Sequence, residues 1–454
     1  MSLSRRIVDR VDSLGHLPDD VVVTARLHLL DALGVGLAAS ASAVGGHYRK
    51  FAERRAGGGP ATMLGCAAGG SAADAALVNG GLIHSLEYDD THTASIVHGS
   101  AVLVPAALAA AEATGATGRD FLKTYSVWYE IMIRIGASAP GSFQRRGFQF
   151  TSVGGALCAA GIAANLRGLD QDASVAAIGI ALSQASGVFE FLSNGSTVKS
   201  LHPGWAAHSG VMAAELAEAG MTGPETAIEG THGLFRAFAG DADASARLEK
   251  QLETLGTEWE LRRAAFKFHP CCHYLHPFIE AAGKLADQGV TVDAIETLEL
   301  CAPEGAAGII CEPFADKQAA SGHAARWSLP VVVAMQFVDG EVTLESFEKA
   351  ADPVVQALAA RCSWQPIAPC AFPQRFEAEI RCRTKDGQLR SVRIDDVYGN
   401  ASRPASAEAV IDKFLANASR RMAPEAARLL AETVQTIDGE ADLSRLSQNL
   451  RNIS

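Results

Sequence analysis

The feature that most constrains this chain is a set of helical stretches with no polar side. "TSVGGALCAAGIAANL" (151–166) and "ASVAAIGIALSQASG" (173–187) carry Ala, Gly and aliphatic residues around most of the helical circumference. A helix apolar all round has to be buried in a large protein or a membrane. The longest unbroken apolar stretch, "AVLVPAALAAA" from Ala101, is too short for a bilayer span and contains a proline. Small residues let neighbouring helices approach closely, so the expectation is a compact bundle, and no fixed repeat suggests a solenoid. "PDDVVVTARLHLLDALGVGLAAS" (18–40) adds a helix with Asp19 and Asp20 in its first turn. Further helices are predicted near 71–86, 100–114, 118–138, 151–167, 172–187 and 203–219.

The pattern changes near residue 265. "AIETLELCAP" alternates like a strand, and "RFEAEIRCRTKDGQLRSVRI" reads as two alternating runs joined around Lys385, Asp386 and Gly387. Two helical stretches, 320–340 and 343–362, lie between them. After "YGNASRP" the chain turns helical again. The predicted fold is mainly α: a large all-helical domain (1–265, completed by 399–454) with an inserted smaller α+β lid domain (266–398). A length of 454 residues suits two domains, and 48% hydrophobic with 20% charged residues suits a soluble globular protein.

Charge and cysteine content narrow the function classes. A net charge of -12 with no basic stretch argues against a nucleic-acid partner, and an anionic substrate would need a local cationic pocket. "MSLSRRIVDRVDSL" is basic but is not followed by an apolar run, so no signal peptide is read, no membrane partner is expected, and the cytoplasm is the expected location. The nine cysteines are then expected to be reduced thiols.

"KFHPCCHYLHP" (267–277) concentrates a lysine, three histidines and two cysteines. Cys271 and Cys272 are adjacent, poor disulfide geometry, and no second spaced cysteine pair completes a zinc site. A metal is thereby disfavoured, and an acid/base cluster or small thiols packing a core both stay open. Helix N-termini attract anions, and four predicted starts have suitable neighbours: His98 before Ser100; Gln149 before Thr151 and Ser152; Lys199 and His202 before Pro203; His276 before Pro277.

"LLDALGVGLAAS", "ALVNGGLIHSLEYDDTH", "KSLHPGWAAHSG" and "KFHPCCHYLHPFIEA" resemble the MmgE/PrpD family, and the resemblance covers essentially the whole chain. That family includes enzymes that dehydrate 2-methylcitrate, decarboxylate cis-aconitate or epimerise iminodisuccinate. The resemblance implies a homodimer and a site between two domains that uses no metal and no organic cofactor. It also implies a small di- or tricarboxylate substrate, handled by proton transfer beside a carboxylate. Carried onto this sequence, it makes His98 the acid/base group and Lys199 and Lys267 the catalytic cations. Glu87, Thr91, Gln149, His202 and Cys272 become substrate-binding residues. His276 is read as support from a helix start, and Cys271 and His273 as packing, with the question whether His273 and His276 reach the site left open.

Three positions depart from the decarboxylase pattern that the resemblance implies. Gln149 and Cys272 stand where histidines are expected, and Val331 where a tyrosine is expected. Glutamine cannot carry a proton at neutral pH. The reading favoured is therefore a 2-methylcitrate dehydratase-like lyase, with a dicarboxylate epimerase or a non-catalytic carboxylate-binding relative as alternatives.

Overall fold

The apolar stretches form the helices their composition requires, and the structure, a computed structural model, describes residues 1–453. The helices Ala72–His84, Ser100–Thr114, Gly118–Ser138, Phe150–Leu166, Gln171–Gln184 and Leu201–Glu218 follow the predicted spans closely. Every residue from Phe150 to Ala164, and from Ser100 to Ala111, is buried. One helix, Asp19–Ala41, is long and apolar enough to cross a bilayer, longer than the Ala101 stretch; here it is a core helix, buried from His28 to Ser40.

Small residues set how these helices cross. A Cβ on Gly204 would fall 2.3 Å from the Leu77 carbonyl oxygen, and one on Gly210 would fall 2.5 Å from the Ala160 amide nitrogen. The Leu201–Glu218 helix therefore lies backbone to backbone against Ala72–His84 on one side and Phe150–Leu166 on the other. Larger residues could enter only by pushing the helices apart.

Buried apolar side chains fall into two clusters. One is drawn from Leu3–Ala264 and again from Phe414–Leu450. The other is drawn from Cys271–Ile394 and contains a four-stranded sheet of order β2-β1-β3-β4: β1 (Ile295–Ala302), β2 (Cys362–Pro366), β3 (Ala378–Thr384) and β4 (Leu389–Ile394). β1 pairs parallel with β2 (Leu298 opposite Cys362) and antiparallel with β3 (Leu300 opposite Ile380), and β3 and β4 form the predicted hairpin. β2 is a difference: the sequence reads helix up to Cys362, but the helix there stops at Ala359 and a short edge strand follows.

The two helical stretches before β2 are also broken. Ser328 caps Leu329–Asp339, its hydroxyl accepting from the Val331 amide at 3.2 Å. Asp352 caps Pro353–Ala359, accepting from the Val354 amide at 2.8 Å. Each cap precedes a proline in the first turn, which suits a helix start better than a helix interior.

Candidate functional site

The site begins where the Ala72–His84 helix ends. Between His84 and Ser100 the chain passes through two non-glycine residues with positive φ, Glu87 (54°) and Ile96 (55°). Such backbone costs about 1–3 kcal/mol per residue and persists only where the surroundings hold it. Asp90 is the main fastener: its carboxylate accepts from Tyr129 (2.8 Å), from the Ser100 amide (3.2 Å) and from the Ser100 hydroxyl, with His28 Nδ1 3.0 Å away. Thr91 and Ala265 exchange both backbone hydrogen bonds, at 3.0 and 2.8 Å. The strained loop is thereby locked to the segment that carries Lys267.

The loop forms one wall of a cavity of about 330 Å³, in the range that holds a small ligand. Glu87, Thr91, His98, Gln149, Lys199, Lys267 and Cys272 all line it. His202 does not; it lies behind Gln149, with Nδ1 2.6 Å from Gln149 Oε1. It sits inside the first turn of its helix rather than before it, because a 3₁₀ turn, Thr197–Ser200, runs directly into Leu201. His276 lines a neighbouring cleft with His269 rather than this cavity. Val331 is fully buried in the second core and is not among the lining residues. A larger groove, about 1040 Å³, opens near Glu112 and Arg451 but is lined by no histidine or lysine.

The electrostatics centre on Glu87. Lys199 Nζ forms an ion pair with its carboxylate, and Lys267 Nζ donates to its backbone carbonyl at 3.0 Å. Burial pushes the Glu87 carboxyl upward, but Lys199 and Lys267 outweigh it and hold the group at about 2. Arg145 also lines the cavity. Three cationic side chains and one carboxylate thus face this space, leaving an excess of two positive charges in a chain of net charge -12.

His98 has one ring nitrogen engaged by the backbone. Its Nδ1 lies 2.9 Å from the Asp90 carbonyl oxygen and 3.2 Å from Thr91 Oγ1. A carbonyl can only accept, so Nδ1 carries the proton and the neutral ring keeps its lone pair on Nε2. Burial lowers this imidazole; Asp89 opposes the shift, Lys267 and Lys199 add to it, and the result is about 3. His202 is held at about 4 by burial, with Lys199 contributing. Burial raises the Cys272 thiol, which leaves it a neutral lining group.

Two buried residues that the sequence reading did not select sit directly behind these groups. His84 Nδ1 is 2.8 Å from Asp89 Oδ2, and His84 Nε2 is 3.3 Å from Gln149 Nε2. Both fall within "IHSLEYDDTH", but nothing in that string shows which of its acids meets which histidine. His273, read as packing, lines the cavity instead; it is 4% exposed and neither ring nitrogen has a partner among the described residues.

His84, Asp89 and His98 also bring three potential ligand atoms within 4.8 Å of one another. These atoms already have other uses. Asp89 accepts from His84 Nδ1, and His98 Nδ1 faces the Asp90 carbonyl. A divalent cation would have to displace those protons in the field of Lys267, which acts on both Asp89 and His98. The donor set fits a hydrogen-bonded cluster better than a metal centre.

The MmgE/PrpD N-terminal domain matches residues 10–247, and the MmgE/PrpD C-terminal domain matches residues 269–438. Similar proteins include cis-aconitate decarboxylase of Homo sapiens, 29% identical over 463 residues (96% of this chain, 92% of that protein). The Mus musculus cis-aconitate decarboxylase is 28% identical, covering 96% of this chain and 91% of its own length. The cis-aconitate decarboxylase-like protein oryM of Aspergillus oryzae is 26% identical, with 95% and 93% covered. With both domains matched in order over most of its length, the chain belongs to the MmgE/PrpD family.

Proposed function

We propose that the protein is a cofactor-independent lyase that removes water from a small hydroxy di- or tricarboxylate, in the manner of a 2-methylcitrate dehydratase. The observation that carries this reading is the excess of cationic side chains in a small, largely apolar cavity beside a neutral imidazole with a free Nε2. Lys199 and Lys267 would hold substrate carboxylates. Bringing an anion next to His98 raises its proton affinity, so a group held near 3 by burial and neighbouring cations becomes a usable base once substrate is bound. His98 Nε2 would take the proton on the carbon next to a carboxylate. The electron pair left behind forms the C=C bond as the C–O bond breaks, and the departing hydroxide takes the proton from the imidazolium and leaves as water. The charge that builds up on the carboxylate during this step is stabilised by the fixed cations. The substrate-side unit, residues 266–398, would close over the helical unit as a lid, and two copies would associate as a dimer.

Decarboxylation is the second reading, favoured by the names of the similar proteins. Against it stand Gln149 and Cys272, both lining the cavity at positions where the family resemblance implies histidines in decarboxylases. A thermal-shift screen tests the proposed substrate class. Di- and tricarboxylates should raise the melting temperature while their methyl esters should not; stabilisation by esters, or by no carboxylate, would sink the reading.

A further inference from the structure

Asp89, His84, Gln149 and His202 form an unbroken chain of buried polar side chains, 0%, 0%, 5% and 7% exposed. Its links are 2.8 Å (Asp89 Oδ2 to His84 Nδ1), 3.3 Å (His84 Nε2 to Gln149 Nε2) and 2.6 Å (Gln149 Oε1 to His202 Nδ1). Each link has only one allowed direction once Asp89 is a carboxylate and the His84 ring carries a single proton. A carboxylate accepts, so His84 Nδ1 carries the proton and Nε2 of the neutral ring must accept. Its partner must then be the amide nitrogen of Gln149, which turns the amide oxygen toward His202 and makes His202 Nδ1 a donor. One Gln149 N–H is left over, on a residue that lines the cavity.

We propose that Asp89 and His84 are positioning residues that fix the polarity of Gln149, so that it presents an N–H, rather than its carbonyl oxygen, to a carboxylate held beside His98. This rests on the reading of the cavity as a carboxylate site. The chain adds a neutral donor to the cationic groups and needs no proton on Gln149 itself, so an amide can replace an imidazole here without loss of anion binding. The opposite orientation would aim a carbonyl oxygen at an anion. Reversal requires His84 to donate through Nε2, and only the loss of an acceptor at Asp89 or a second proton on the ring permits that.

The tautomers can be read by histidine-selective ¹⁵N NMR on the full-length protein without ligand, with resonances assigned through His84→Asn and His202→Gln. His84 and His202 should both be neutral Nδ1–H tautomers at pH 7. In Asp89→Asn the new amide can donate to His84, and His202 should switch to the Nε2–H tautomer although it lies two links away. Citrate, used as the probe carboxylate in calorimetry, should then bind about tenfold more weakly, the equivalent of one charge-assisted hydrogen bond; Asp89→Glu should restore both properties. A wild-type His202 in the Nε2–H form, or an Asp89→Asn protein with unchanged tautomers, overturns the proposal. If Asp89→Asn does not fold, the wild-type tautomers decide alone. Correct tautomers in a protein that binds no carboxylate would instead overturn the reading of the cavity.

Discussion

Lys267 has no exposed surface, yet among the described residues its ammonium donates to a single backbone carbonyl, that of Glu87. A lysine buried in this way is rare unless it is paired, and its remaining donors are free for a ligand. Lys199 is similarly placed, with Glu87 on one side and the Trp327 ring 5.4 Å away. Replacing either lysine by alanine should weaken binding of a polycarboxylate by about 2–5 kcal/mol, as when one partner of a buried charge pair is truncated. Calorimetry with the best ligand from the thermal-shift screen checks this. His98→Gln should instead lower kcat by about 10²–10⁴-fold with little change in ligand affinity, the loss expected when a general base is removed. Metal chelation should change neither turnover nor melting temperature, because the His84–Asp89–His98 cluster is already closed by its own hydrogen bonds; stoichiometric zinc together with inactivation on its removal would contradict that. The lining positions of Glu87, Thr91, His98, Gln149, Lys199, Lys267 and Cys272 were legible because each falls in a motif whose residue types suit anion and proton handling. His84 and Asp89 were not, because their role depends on side chains brought together from residues 84, 89, 149 and 202. The place of His273 was not legible, because a histidine beside two cysteines packs or faces a cavity according to neighbours far away in sequence, here Phe376 among them.

At the scale of elements, the Ala407–Ala418 helix does more than close the helical core. Lys413 forms a buried ion pair with Asp31 at 2.6 Å and donates to the Tyr88 carbonyl at 2.9 Å, so it fastens the strained Glu87 loop from behind. Lys413→Met leaves the Asp31 charge unpaired and should cost about 3–5 kcal/mol of stability, measured by urea unfolding; a loss under 1 kcal/mol would mean that the pair does not hold the loop. Gly204→Ala forces a methyl group onto the Leu77 carbonyl and should destabilise by about 1–3 kcal/mol in the same assay. Long helices were legible because their apolar composition leaves one environment open to them, and the β3–β4 hairpin because its two alternating runs meet at Gly387, where φ is 86°. β2 was not legible. It spans five residues at a sheet edge, only Cys362 of them is buried, and no alternation can develop over that length.

Over the whole molecule, histidines kept neutral by full or partial burial make stability depend on pH. His98, His202 and His323 are held at about 3, 4 and 4, chiefly by burial, against about 6.5 for a free imidazole. Between those values the unfolded chain binds more protons than the folded one. The stability these groups contribute is complete above about pH 6.5 and is lost as pH falls, by up to about 1.4 kcal/mol per pH unit for each group. Glu87, held at about 2, adds a further loss only below the usual carboxylate range. The melting temperature should therefore decline between pH 7 and pH 5, before carboxylates titrate, and a flat profile there would show that these rings are not buried neutral. In light scattering the proposed dimer should appear at about twice the 47.5 kDa chain mass. The most direct test of the central claim is product analysis by NMR after incubation with 2-methylcitrate and with cis-aconitate in parallel, with CO2 trapped from both. A dehydratase should give an unsaturated tricarboxylate from the hydroxy acid and little or no CO2 from either. Efficient release of CO2 from cis-aconitate, with formation of itaconate, would contradict that claim.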